Sequence, residues 1–202
     1  MKQSNVVLPD VSRETEERLQ TFCALLLTWN ARINLIARGD EPNLRRRHVE
    51  DSLALIPVLP ESPSHAIDLG SGGGFPGIIL AIATNIPFHL VESDQRKAAF
   101  LREAARATAA PVTVHATRIE AAKPPPAPLV TARALAPLPL LLAWATPHLA
   151  PGGVCVFPKG RTVDDELTLA RQQWQMRVER WPSPLDPTST ILRISEIARV
   201  GP

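Results

Sequence analysis

The sequence predicts an α/β protein, a mostly parallel sheet with helices on both faces and an N-terminal helical extension. Three observations lead there. From residue 66 onward, short apolar runs alternate with longer helical patterns, which is how strands and their crossover helices read. Before residue 63 the apolar residues recur at steps of three and four, the spacing of amphipathic helices. At the junction, the run Ala66–Leu69 meets Gly70, Gly72, Gly73, Gly74 and Gly77, then a second apolar run, Ile78–Ala83. That pattern reads as strand, tight loop, helix.

Residues 12–37 place Leu19, Phe22, Leu26, Trp29 and Ile33 on one stripe, with Ser12 as N-cap ahead of Thr15 and Glu16. They are expected to be helical. A second helix is expected over 43–58, where Leu44, Val49, Leu53 and Ile56 are apolar and Pro60 and Pro63 close the segment. The expected organisation is therefore an extension, 1–62, and a main body, 63–202, packed as one unit. In the body, strands are expected at 66–69, 88–91, 112–115, 129–131 and 154–157, and helices at 76–84, 95–108, 137–148 and 163–173. Final strands at 176–180 and 190–194 have no helix between them, so they are expected to pair antiparallel at one edge. Parallel connections should cross over right-handed. In such folds ligands sit beyond the carboxyl ends of the strands. The residues to watch are then 68–75, 92–94, 116–120, 132–134 and 158–161.

Composition narrows the class. The chain has 202 residues, 45% of them hydrophobic, and a net charge of +2, ordinary for a globular protein. No apolar run is long enough to span a bilayer, and Met1–Asn5 lead into no signal-peptide core. Cys23 and Cys155 lie in apolar surroundings with no metal-ligand spacing. A cytoplasmic protein without a metal or a membrane is the expectation. The charge is too small to demand a nucleic-acid partner, but Arg45-Arg46-Arg47-His48 and Lys159-Gly160-Arg161 are dense basic clusters. The prolines of Pro124-Pro125-Pro126-Ala127-Pro128 read as a stiff connector.

The glycine loop reads as a cradle for a nucleoside cofactor. Glycine lets backbone approach a ligand closely, and a helix N-terminus offers free N–H groups. Gly72 to Gly77 satisfies the dinucleotide spacing, which alone is weak evidence for NAD. Asp68 precedes the loop and is read as facing it, giving an acidic lip. Such a lip suits a cationic ligand and repels a pyrophosphate, so S-adenosylmethionine fits better. Glu92, at the end of the second predicted strand, is placed to accept ribose hydroxyls. An NAD-dependent oxidoreductase, a small-molecule methyltransferase and a non-catalytic RNA-binding module stay as rivals.

Acceptor chemistry is narrowed by what is missing. The fourth predicted strand leads into Thr131-Ala132-Arg133-Ala134-Leu135, with none of the Pro-Pro-aromatic pattern used to methylate exocyclic amines. Cys155 sits inside the apolar run 154–157 and reads as core, so no cysteine nucleophile is at hand. No general base is expected, which leaves an acceptor that already carries a lone pair.

Six short strings, in order, then carry a resemblance. Trp29-Asn30-Ala31-Arg32-Ile33-Asn34-Leu35 and Arg47-His48-Val49-Glu50-Asp51-Ser52 come first. The glycine loop with Phe75-Pro76-Gly77 follows, then Thr117-Arg118-Ile119-Glu120, Ala132-Arg133-Ala134 and Lys159-Gly160. Together they resemble the RsmG (GidB) family, the bacterial 16S ribosomal RNA guanine-N7 methyltransferases, over nearly the whole chain. The resemblance implies a Rossmann-like class I methyltransferase fold, S-adenosylmethionine as cofactor, and 16S ribosomal RNA of the small subunit as partner, with the protein acting as a monomer. It also implies that Gly70, Ser71, Gly72 and Phe75 line the cofactor pocket, that Glu92 holds the ribose, and that Ile119 and Glu120 flank the adenine. Arg133 would sit at the mouth and position the substrate. Arg118 and Lys159 would meet RNA phosphates, joined by Arg45, Arg46, Arg47 and Arg161. Ile36 and Arg38-Gly39-Asp40 depart from the family pattern, and Glu92 stands where Asp is frequent. Asn30 and Asn34 read as backbone-bridging residues, and His48 and Asp51 as hydrogen-bond partners within or between helices.

Overall fold

The computed structural model describes residues 7–201. Met1–Val6, the start of the expected extension, and Pro202 lie outside the described residues. One sheet holds β1 Ala66–Leu69, β2 Phe88–Val91, β3 Val112–His115, β4 Ala127–Thr131, β5 Leu149–Lys159, β6 Trp174–Pro182 and β7 Thr190–Arg199. Their order is β3-β2-β1-β4-β5-β7-β6. The first five pair parallel, and β7 runs antiparallel to both β5 and β6. The last two strands thus pair at one edge, with β7 inserted beside β5. Strand order reverses around β1, which opens a crevice beyond the carboxyl ends of β1 and β4.

Helices α3 Gly77–Thr84, α4 Gln95–Ala107, α5 Leu138–Ala145 and α6 Val163–Arg171 connect the strands. Side chains alternate along a strand. Accordingly Ala66 joins one apolar core with Ile78, Ile79 and Phe100, while Ile67 and Leu69 join a second with Leu141, Leu142 and Phe157. The sheet is covered on both faces, so all four residues of β1 are buried.

The extension belongs to the first of these cores. Its helix α1, Arg13–Asn30, is capped by Ser12, whose side chain accepts from the Thr15 amide. Leu19, Phe22 and Leu26 are fully buried there. The Phe22 ring lies 5.5 Å from Phe75 and 6.0 Å from Phe100. Arg18 donates to the carbonyls of Thr108 and Ala109 at 2.7 and 3.0 Å. It thereby satisfies the C-terminal end of α4, where carbonyls lack helical partners and a cation is favoured.

Two helical expectations differ. The first helix stops at Asn30, not 37. Asn30 is buried, and its Oδ1 accepts from the amides of Leu35 and Ile36 at 2.9 and 3.0 Å. Its Nδ2 donates to Glu41 at 2.6 Å. One side chain thus replaces the next turn and folds the backbone back. The second helix, expected as one piece over 43–58, is a π-helical turn Arg45–Glu50, a short α2 Asp51–Leu53, and a 3-10 turn Ile56–Val58. Pro57 lacks the N–H that a continuous helix needs there. Arg45 anchors the π turn to α1 through two 2.6 Å bonds to Glu16. Further along, α5 ends at Ala145 and a 3-10 turn holding Pro147 follows.

Asn30→Ala would leave two buried amides without partners. The expected loss is about 2–4 kcal/mol of stability, read from urea unfolding. An unchanged unfolding midpoint would show that water replaces the side chain.

Candidate active site

The glycine loop is shaped by its neighbours. Gly70 adopts φ +63°, a left-handed conformation, and a Cβ there would stand 2.5 Å from Leu135 Cδ1. The Gly72 amide donates to Glu92 Oε2 at 2.8 Å, and the Asp94 amide donates to Oε1 at 2.7 Å. Glu92 therefore stitches the loop after β1 to the loop after β2. Beside it opens a cavity of about 260 Å³, lined by Gly70, Gly72, Glu92, Ile119 and Glu120. These five, singled out from the sequence, come together at the carboxyl edge of the sheet. Lys97, Leu135 and Trp144 line the same cavity and were not foreseen. Trp144 lies on α5, whose otherwise aliphatic run reads as core. A lone large aromatic in that run was the available signal. Arg118 also borders this cavity and is exposed.

Other residues read as cofactor contacts lie elsewhere. Ser71 is buried, and its hydroxyl donates to the backbone carbonyl of Asp68 at 3.0 Å. Phe75 is buried under the extension, 5.0 Å from the His48 ring, with the Arg133 guanidinium 5.1 Å over its centroid. Neither Ser71 nor Phe75 lines the cavity beside Glu92. Asp68 is not an acidic lip, because its residue exposure is 0%. Its Oδ1 accepts from Thr131 Oγ1 at 2.7 Å, a tie between β1 and β4, and its Oδ2 has no well-formed hydrogen bond.

Arg133 borders a second cavity, of about 430 Å³, together with Asp51, Leu135, Lys159 and Glu166. Leu135 thus stands between the two cavities. The guanidinium is held from the extension. Nη1 donates to Arg47 O and to Asp51 Oδ2, both at 3.1 Å, and Nη2 meets His48 Nδ1. Lys159, expected on RNA phosphate, is instead turned inward. Its Nζ lies 2.7 Å from Glu166 Oε2 and 2.9 Å from Ala136 O, with 10% side-chain exposure. Arg45 is likewise engaged by Glu16, and Arg47 pairs with Asp40 at 2.9 Å but remains exposed. Arg46 and Arg161 are exposed.

A family model described as rRNA small subunit methyltransferase G (GidB) matches residues 15–183. This chain belongs to that family. A ribosomal RNA small subunit methyltransferase G of Rhodospirillum centenum is 56% identical over 191 residues, covering 95% of this chain and 88% of its own. One of Gluconobacter oxydans is 56% identical over 190 residues, covering 94% and 98%. Among solved structures, M. jannaschii TYW2 in complex with AdoMet has a TM-score of 0.60 at 14% identity, covering 84% of this chain and 80% of its own. An O-methyltransferase from Bacillus cereus in complex with SAH has a TM-score of 0.54 at 14% identity, covering 95% and 94%. The fold is that of the class I methyltransferases.

In this family member the ionisable groups around the loop are strongly shaped by burial. Burial raises the Asp68 pKa to about 6; the Thr131 hydroxyl and the Gly77 amide, which approaches without a well-formed bond, draw it back only in part. Burial also lowers the His48 pKa, and the Arg133 charge lowers it further. Since Arg133 only donates, His48 Nδ1 accepts, and its Nε2–H then donates to Asp40 Oδ2 at 3.2 Å. Burial alone would raise Glu166, but Lys159 and the Leu138 amide outweigh it and hold its carboxyl below the usual range. Cys155 is buried and its thiol is pushed far above its ordinary value, which makes it an inert core residue.

Asp68 carries a pH signature. Its folded pKa lies above the unfolded value, so the native state binds the extra proton. The stabilisation is complete below about pH 4 and is lost as pH rises through about 6, roughly 3 kcal/mol in all. Asp68→Asn should flatten that part of the stability profile, measured by urea unfolding at several pH values. An equal slope in the variant would remove Asp68 as the source.

Proposed function

We propose that this protein transfers a methyl group from S-adenosylmethionine to N7 of a guanine in 16S ribosomal RNA of the small ribosomal subunit. The observation that carries this reading is the pair of adjoining cavities at the carboxyl edge of the sheet, divided by Leu135, in a member of the rRNA small subunit methyltransferase G family. A ribosomal RNA substrate supports a cytoplasmic location.

The residues beside Glu92 fit the cofactor. Gly72 lines the cavity, and a Cβ built on it finds no atom nearer than 3.7 Å, so a side chain there would fill open space that a ligand needs. Glu92 Oε1 and Oε2 each accept one backbone amide and keep lone pairs for ribose hydroxyls. Ile119 and Trp144 offer apolar surface to the adenine, and Glu120 a polar contact. Bound S-adenosylmethionine supplies an electrophilic methyl on a sulfonium. Gly70 and Leu135 line this cavity, and Leu135 also lines the neighbouring one, so they would help orient the two reactants toward each other; such alignment is worth ~7–11 kcal/mol of barrier at best.

Guanine N7 forms the new bond to the methyl carbon with its own lone pair. The carbon–sulfur pair stays on sulfur, and the positive charge moves to the base. No proton leaves, so no side chain has to act as base. In A-form RNA the N7 edge faces a groove too deep and narrow for side chains. The target base must therefore be presented outside regular duplex. Exposed Arg46, Arg47, Arg118 and Arg161 attract the RNA backbone. Lys159 and Arg45, each held by a carboxylate, are not counted among the phosphate contacts.

Labelled S-adenosylmethionine with small-subunit RNA or subunits should yield 7-methylguanosine in a nuclease digest. If naked RNA, processing intermediates and intact subunits all stay unlabelled, the reading fails. Glu92→Gln should weaken cofactor binding about tenfold in calorimetry. Unchanged affinity would take Glu92 out of the site.

A further inference from the structure

The larger cavity has a chemistry that its neighbours do not use up. It lies past the ends of β4 and β5, across Leu135 from the Glu92 cavity. Its volume, about 430 Å³, is in the range of small-ligand sites and admits a base. Asp51 reaches it from the extension. Asp51 Oδ2 is taken by Arg133, while Oδ1 accepts no hydrogen bond among the described residues. Lys159 reaches it from β5. Its ammonium has three hydrogens, and two are committed, to Ala136 O and Glu166 Oε2. One acceptor on Asp51 and one donor on Lys159 are left to face the same space.

From this we propose that Asp51 and Lys159 read the guanine. Asp51 Oδ1 accepts from the N1–H and 2-amino donors of its Watson–Crick edge, and Lys159 Nζ donates its third hydrogen to O6. The proposal rests on the guanine-N7 reading above and assigns that site its base specificity. Adenine presents neither donor pattern nor the O6 acceptor, and is rejected for leaving both protein groups unpaired.

The same arrangement protects the nucleophile. An arginine fork commonly binds guanine through O6 and N7 together, which would tie up the lone pair that must attack. Here Arg133 spends three of its five N–H donors on Asp51, Arg47 O and His48 of the extension and lies over the Phe75 ring, which turns it toward the extension. Lys159 is a single-headed donor, so it can hold O6 and leave N7 bare. Asp51 and Lys159 are thus specificity residues, and Arg133 is the positioning residue that holds Asp51 in place.

The test removes or weakens one recognition group at a time on each partner. Once the methylated position is mapped with the wild-type enzyme, small-subunit RNA is ligated with one inosine there, which lacks only the 2-amino group. Wild-type kcat/KM should fall about tenfold or more on inosine. Asp51→Asn, nearly isosteric, should lose activity on guanosine yet show little further loss on inosine. Its affinity for S-adenosylmethionine in calorimetry should match wild type, which reports an intact fold. Lys159→Met should respond in the same coupled way to 6-thioguanine, which keeps N1–H and the 2-amino group and replaces O6 by a weaker acceptor. Equal wild-type rates on guanosine and inosine overturn the Asp51 assignment, as does a loss in Asp51→Asn that is the same on both substrates. Wild-type enzyme that forms no 7-methylguanosine on guanosine RNA sinks the underlying reading instead, and the two failures are distinguishable.

Discussion

The Arg133 guanidinium ties together three parts of the protein that are distant in sequence. It leaves the end of β4, lies over the Phe75 ring of the glycine loop, and spends its terminal nitrogens on Asp51, His48 and the Arg47 carbonyl. With side-chain exposures of 18% and 25%, the Arg133–Asp51 pair is shielded enough from water to matter. A half-buried guanidinium that loses one partner keeps its desolvation cost and forfeits the compensation. The π-helical turn of the extension and Asp51, the first residue of α2, supply the partners, and Arg45–Glu16 holds that turn on α1. The extension is therefore part of the wall of the acceptor cavity, and its hydrophobic packing against Phe75 and Phe100 serves the site as well as the fold.

Two acids, Asp68 and Glu92, stand near the same loop and do different things because they meet different surroundings. β1 is central and covered on both faces, so whatever side chain it carries is enclosed. Asp68 ends up as an internal strut to Thr131, its pKa raised by burial to about 6. Glu92 comes one residue after β2, where the backbone turns out of the sheet, and so reaches both loop amides and the cavity. The preference for a cationic cofactor over a pyrophosphate then cannot rest on Asp68 as a surface charge. It rests on the family and on the fit of the cavity.

How much was legible follows from the range of the forces involved. Alternation of apolar runs showed every strand and the edge pairing of β6 with β7, because strand burial leaves a local pattern. That Gly70, Gly72, Glu92, Ile119 and Glu120 gather around one cavity was also legible, since residues following parallel strand ends collect at one edge of the sheet. The end of α1 was not. The stripe continues to Ile33, but the decision is made by Asn30 capturing the Leu35 and Ile36 amides, which no periodicity reports. Lys159 and Arg45 read as free cations because their partners, Glu166 and Glu16, become neighbours only through folding. Leu135 and Trp144 were missed because apolar residues lining a cavity look, in sequence, like core.

The pairing of those cations changes what charge can contribute to RNA recognition. With Lys159 and Arg45 neutralised internally and Arg47 partly so by Asp40, the basic residues singled out for RNA leave their free positive charge on Arg46, Arg118 and Arg161. Screening at physiological salt shortens its reach to roughly 8 Å. Such a surface can hold a backbone already docked, but it cannot select one guanine among many by attraction. Selection must then lie in the shape that presents an unpaired base, and in the hydrogen bonds met inside the acceptor cavity. A neutral-looking cavity with one open carboxylate oxygen and one spare ammonium hydrogen suits that division. Charge brings the strand close, geometry admits one base, and the lone pair at N7 is left uncovered for the transfer.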